Sequence, residues 1–156
     1  MIARRAALKA VLAAPLVALV PRADARDYAS AGEVLAEIDR LEGDLDARLT
    51  GLAATFPAAA SFAASVQADH ERHRRTRATL RRRLRLTEAS PAAAPAGPAS
   101  VDALRALAQD LVHAHAEGLP ALRDAPAVDT LARHMVDDAR HLAVLQMWME
   151  TEQPGG

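Results

Sequence analysis

Two pairs of residues in this sequence combine metal-binding side chains with a spacing of about one helical turn. The first pair is His70 and His73, and the second is Asp138 and His141. Residues three positions apart share one face of an α-helix, and in both segments that face is also the apolar one. These side chains are therefore predicted to point into a protein core. Imidazole and carboxylate groups in such a place are ligands for iron, copper, zinc or manganese.

Further polar residues fall on predicted core-facing positions. Glu42 lies on the same helix face as Ile38 and Leu45, and His115 lies on the hydrophobic face of another helix. Because burying a charge is costly unless it is paired or binds a metal, these groups need partners. The predicted metal ligands are Glu42, His70, His73, His115, Asp138 and His141. The secondary candidates are Glu37, Asp110 and His134.

The composition indicates one all-α domain. The 156 residues are 51% hydrophobic but only 3% aromatic, and alanine, the strongest helix former, is frequent. The sequence has no cysteine, which excludes disulfides, thiolate metal sites and iron–sulfur clusters. We expect no haem either. The formal net charge of −1 does not indicate a nucleic-acid partner.

Apolar periodicity predicts four helices, at about residues 30–52, 57–86, 101–119 and 127–150. Residues 87–100 are rich in proline and alanine. In an extended conformation of about 3.1 Å per residue, they are long enough to cross the whole bundle.

The helix faces and turns also predict how the polar residues are placed. Pairing the helices about their turns places Glu42 opposite residues 68–70 and His115 about one turn away from Asp138. His113 is expected to point away from the core.

The first 25 residues are predicted to be a cleavable signal peptide. An arginine pair at residues 4–5 precedes an apolar run over residues 10–20, and residues 23–25 have the small-x-small form of a cleavage site. Residues 4–9 resemble the twin-arginine export signal; the alternative is an ordinary secretory signal. We expect a periplasmic or extracellular mature chain that begins near Arg26 and has no membrane span after cleavage.

The other surface features give weaker indications of partners. Residues 72–85 are rich in arginine, but no aromatic side chains are interleaved for base stacking, so we expect no nucleic-acid partner. These cations are expected to pair with the acids of the first helix. Trp148 and Met149 are predicted to make core contacts or contacts within a homodimer.

The predicted arrangement resembles the ferritin-like superfamily, and in particular small exported bacterial ferritin-like domain proteins. The resemblance depends on four helices, one long crossover and metal-binding residues three apart on helices 2 and 4. Segments 119–126 and 136–145 are similar to the last hairpin of that group, and the resemblance covers residues 30–150. It implies a ferritin-like four-helix bundle with a metal site in its core.

The resemblance also implies roles for the two pairs. In the di-iron branch of the superfamily, helices 2 and 4 each provide Glu-x-x-His. Carried over to this chain, His73 and His141 match the two histidines. Asp138 replaces one glutamate with a shorter acid, and His70 occupies the position of the other.

Helices 1 and 3 of the di-iron branch each provide one glutamate. On helix 1 this residue would be Glu42 by periodicity or Glu37 by the family spacing. On helix 3 no glutamate faces inward, so His115 or Asp110 would have to serve. The implied site is rich in histidine and poor in carboxylate, which favours zinc or copper. Any activity would be at most that of a metal-dependent oxidase or ferroxidase.

One predicted buried cation competes with a metal. Arg77 lies one turn beyond His73 on the same helix face, and its permanent charge can pair with Glu42 or Asp138. Two interpretations therefore stay open: a metal-binding bundle, and a metal-free structural or interaction module in which Arg77 replaces the ion. A histidine phosphotransfer bundle would have similar helices, but no glycine lies four residues after either histidine of the first pair.

Overall fold

The computed structural model describes residues 25–87 and 100–152, without the side chains of residues 149–152. No strand occurs in these ranges, so the prediction of an all-α protein with four helices is confirmed. Short 3₁₀ turns at Pro57–Ala59 and Leu119–Ala121 precede the second helix and follow the third. The helices are α1 (Ala31–Thr55), α2 (Ala60–Leu84), α3 (Val101–Gly118) and α4 (Ala125–Glu152).

Side-chain caps fix the start of three helices. Ser30 accepts a hydrogen bond from the backbone N–H of Glu33 at 3.3 Å, at the start of α1. Ser100 and Asp124 accept from backbone N–H groups in the first turns of α3 and α4, at 3.1 and 3.0 Å. Each cap satisfies a donor that the helix itself leaves without a partner.

The helix ends differ from the predicted ones by a few residues. α1 continues to Thr55, and Pro57–Ala59 forms a 3₁₀ turn before α2 begins. Arg85 ends α2, because it adopts the left-handed conformation (φ 56°) that often closes a helix. α4 begins at Ala125. The additional turns change the register between neighbouring helices.

Contacts between α1 and α2 show that these helices are antiparallel. Asp39 in the first half of α1 binds Arg77 in the last part of α2 at 2.8 Å. Asp46, further along α1, lies 2.6 Å from His70, which is earlier in α2. The arginine-rich part of α2 thus pairs with an acid of α1.

α3 is also antiparallel to α1. Its last residue, Gly118, lies against Val34 near the start of α1, and Asp110 is within electrostatic range of Arg40. α2 and α3 therefore run in the same direction, and the chain between them joins opposite ends of the bundle. Residues 88–99, the main part of the predicted crossover, lie outside the described residues.

The core consists of leucine, isoleucine, valine and alanine side chains from all four helices. The fully buried side chains include Leu35, Ile38, Leu41, Leu45, Leu104, Leu111, Leu131, Leu142 and Leu145. A group of polar side chains is buried among them. It includes Glu42, His70, His73, Arg77, His115, Asp138 and His141.

The remaining expectations concern the ends of the chain. The predicted signal peptide, residues 1–25, lies outside the described residues except for Ala25. Trp148 packs edge-on against Phe62, with ring centroids 4.9 Å apart; the homodimer stays a prediction. Within the described ranges, no helix has both the length and the hydropathy needed to cross a membrane.

Candidate metal centre

Asp138 lies at the centre of the candidate site. α4 directs this side chain into the core, where the residue is 1% exposed. His70 Nε2 from α2 lies 3.3 Å from Oδ1, and His115 Nε2 from α3 lies 3.0 Å from Oδ2. His141, one turn further along α4, places its Nδ1 3.6 Å from Oδ1. A single carboxylate thus faces imidazole nitrogens from three helices.

None of these three contacts is an aligned hydrogen bond. The distances are in the range of ion pairs, but both oxygens of Asp138 and the three facing nitrogens have no hydrogen-bond partner among the described residues. An unsatisfied buried polar atom costs about 1–3 kcal/mol, so such atoms are rare in native proteins. Here several of them converge on one place. An ion bound between His70 Nε2, Asp138 Oδ1 and His141 Nδ1 would satisfy three of them together.

Two of the facing histidines are held by a carboxylate on the other side of the ring. His70 Nδ1 lies 2.6 Å from Asp46, and His141 Nε2 lies 3.1 Å from Asp69. When the ring is neutral, this outer nitrogen donates its hydrogen to the carboxylate. The inner nitrogen, which faces Asp138, then has a lone pair for a metal. Carboxylates oriented in this way are typical partners of metal-binding histidines.

A second triad shares Asp138 with the first. The ligand atoms of Glu42, His73 and Asp138 lie within 4.8 Å of one another, as do those of His70, Asp138 and His141. All five side chains are buried. These groups have the donor types and the proximity to hold a metal ion.

Arg77 forms an ion pair with Glu42, one of the two carboxylates of the second triad. Its guanidinium donates to both oxygens of Glu42, from Nη1 to Oε1 at 2.7 Å and from Nη2 to Oε2. Its Nε also donates to Asp39 at 2.8 Å. Arg77 is 0% exposed, so this cation belongs to the core.

The charges around each group set its protonation in the absence of an ion. Burial alone would lower the pKa of His70, but the carboxylates of Asp138 and Asp46 raise this pKa to about 10. Burial alone would raise the pKa of Asp138, but the facing histidines hold it well below its usual range. Without a metal, His70 is therefore an imidazolium that pairs with the carboxylates of Asp138 and Asp46.

No family model matches this chain, and no curated protein or solved structure is significantly similar to it. Fold class alone does not determine function. The functional assignment therefore depends on the geometry of the site.

The three secondary candidates do not belong to either triad. Glu37 lies on the outer side of α1 and pairs with Arg40 at 2.8 Å. Asp110 is partly buried on α3. His134 is buried and stacks on His73 with ring centroids 3.9 Å apart, and burial lowers its pKa to about 3.

Sequence reasoning did not single out the acids that orient the histidines. Asp46 and Asp69 are the partners of His70 and His141, and Asp137 lies 3.3 Å from His73 Nε2. These acids are partly exposed and lie at the edges of the hydrophobic faces, so helical position does not distinguish them from surface acids. The only signal for Asp46 was its place one turn after Glu42.

Three expected positions are wrong. His113 is 6% exposed rather than outward-facing, because α3 packs against both α1 and α4. His115 contacts Asp138 instead of lying one turn away. Glu42 faces His73, not residues 68–70. The 3₁₀ turns between the helices shift the register and account for the last two differences.

Proposed function

We propose that this helical bundle binds a transition-metal ion in its core, with His70 Nε2, Asp138 Oδ1 and His141 Nδ1 as ligands. The observation that supports the proposal most strongly is the convergence of buried atoms that lack hydrogen-bond partners in the described part of the chain. The outer contacts to Asp46 and Asp69 add support, since they leave the inner nitrogens available for an ion.

Three protein ligands leave at least one coordination position of the ion open for water or another small ligand. Two imidazoles and one carboxylate hold zinc in some catalytic sites and iron(II) in non-haem oxygenases. An ion held in this way supplies Lewis-acid chemistry to a water or small ligand. His115, on the other oxygen of Asp138, would keep this carboxylate in place. The high share of imidazole favours zinc or copper, and an oxidase- or ferroxidase-type activity would require copper or iron.

The ferritin-like fold and the export of the chain are part of the same proposal. The parallel direction of α2 and α3 supports the fold, because it requires one connection along the length of the bundle. The placement of the ligands on α2 and α4 supports it as well. The arginine pair and the cleavage-site pattern in residues 1–25 support export.

A metal-free structural or interaction module is the second candidate, and the ion pairs of Arg77 favour it. The guanidinium neutralises Glu42 and binds Asp39, and a protonated His70 would do the same for Asp138. A complete polar network of this kind can hold helices in one register without an ion.

Elemental analysis of the mature protein, purified without a histidine tag, separates the two candidates. We expect about one ion of zinc, copper, iron or manganese per chain, since one three-ligand site is proposed. A double variant with His70→Ala and His141→Ala should lose the ion. The matched control is His113→Ala, which removes a buried histidine outside both triads and should keep the ion.

An ion-free native protein whose melting temperature does not respond to these four metals would support the metal-free module. Loss of the ion in the His113→Ala control as well would mean that the double variant acts through general unfolding. Circular dichroism of each variant checks this point.

A further inference from the structure

We propose that Arg77 occupies the second of two metal positions in this core. The native chain then binds one ion, and a chain without this guanidinium binds two. The inference rests on the proposed function and adds the number of ions and the residue that sets it.

The core contains donor atoms for two ions. His70 and His141 form one triad with Asp138, and Glu42 and His73 form the other with the same aspartate. Asp138 has two oxygens and can therefore contribute to both positions. Carboxylates shared in this way are typical of proteins that hold two metal ions close together.

The two triads differ in whether their ligand atoms are already occupied. In the first, the inner nitrogens of His70 and His141 and the oxygens of Asp138 lack hydrogen-bond partners among the described residues. In the second, both oxygens of Glu42 accept hydrogen bonds from Arg77. The first triad thus carries only the exchangeable proton of His70, which an ion can displace, whereas a fixed cation already neutralises the second.

Several contacts hold Arg77 in this position. Its Nε and Nη2 lie 2.8 and 2.7 Å from Oδ1 of Asp39, and Arg81 binds the other oxygen of the same carboxylate at 2.5 Å. An arginine side chain does not lose its proton in proteins, so it cannot make room for an ion by becoming neutral. The charge of Arg77 also repels any metal ion that approaches Glu42 and His73 in the second triad.

Zinc stoichiometry of the full mature chain tests the inference. The native protein and its variants are loaded with zinc alone, free metal is removed, and bound zinc is counted by elemental analysis. We expect one ion in the native chain and two in Arg77→Met, a doubling. A second neutral variant, Arg77→Gln, should also bind two. Adding Glu42→Gln to Arg77→Met should return the count to one.

The matched control is Arg81→Met, which removes a neighbouring buried arginine from Asp39 but leaves Arg77 on Glu42. It should bind one ion. If the native chain and both Arg77 variants each bind one ion, the inference is wrong and the proposed function stands. If the native chain binds none, both are wrong.

Folding of the Arg77 variants is followed by circular dichroism with and without zinc. Variants that are unfolded without metal but fold with two equivalents of zinc support the inference, because an ion then replaces the guanidinium. Variants that stay unfolded with zinc contradict it, because no ion can then take the place of the arginine.

Discussion

At the scale of single residues, each proposed ligand histidine has an acid on its outer nitrogen. Asp46 takes this role for His70, and Asp69 takes it for His141. An outer carboxylate fixes the tautomer and the orientation of the ring, and it makes the inner nitrogen a better metal ligand. The metal affinity of the proposed site would therefore depend on residues that do not touch the ion.

Replacing Asp46 tests this dependence. Asp46→Asn should weaken zinc binding by about 10–100-fold, because the amide loses the charge that orients His70. The measurement is a competition titration against a chromophoric chelator. The matched control is Asp44→Asn on the same helix, whose carboxylate pairs with Arg40 at 3.3 Å; its affinity should equal that of the native chain. Equal affinity in the Asp46 variant would contradict this role.

At the scale of helices, α1 and α3 approach each other closely at Gly118, three residues after His115. Gly118, the last residue of α3, allows this approach, because a Cβ atom there would collide with Cγ1 of Val34. Val34 is fully buried and its branched side chain has few alternative rotamers. The contact therefore has little room to adjust.

Gly118→Ala should lower the free energy of unfolding by about 1–3 kcal/mol, the usual cost of overpacking a core. The control is Gly43→Ala in α1, where a Cβ would meet nothing within 4 Å. This change should raise stability by about 0.5–1 kcal/mol, since alanine is the better helix former. Urea denaturation measures both variants. A Gly118→Ala protein as stable as the native one would show that α1 and α3 can separate without cost.

The sequence predicts much of the helical architecture but not the register. Leucines at spacings of three and four define the hydrophobic faces, so the inward position of Glu42 could be derived from them. The lengths of the 3₁₀ turns at Pro57–Ala59 and Leu119–Ala121 could not be derived from the sequence. These lengths decide which residues of neighbouring helices face one another. The partnership of Asp46 with His70 depends on this register, which is why the orienting acids were not predicted.

At the scale of the whole molecule, the buried position of the proposed site would restrict when an ion can enter. The side chains of His70 and Asp138 are 0% and 1% exposed, and that of His141 is 11% exposed. Metal binding and folding are coupled where the ligands come from different helices. We therefore expect the ion to be loaded as the bundle closes. A route that exports folded proteins would preserve such a site.

Replacing both arginines of the pair at residues 4–5 in the predicted signal peptide tests this route. The double variant Arg4→Lys, Arg5→Lys keeps the positive charge, so an ordinary secretory signal should tolerate it. A twin-arginine signal should not, and the uncleaved precursor should accumulate inside the cell. Immunoblots of cell fractions measure the distribution, with Arg22→Lys as the control outside the arginine pair. Normal export of the double variant would indicate the ordinary secretory signal.

The most direct test of the metal centre is a crystal structure of the zinc-loaded protein with anomalous diffraction data at the zinc edge. We expect an anomalous peak in the core, about 2.0–2.2 Å from His70 Nε2, Asp138 Oδ1 and His141 Nδ1. Arg77 should remain on Glu42 in the same crystal. A core without a peak, in which His70 bridges Asp46 and Asp138, would contradict the proposed metal site.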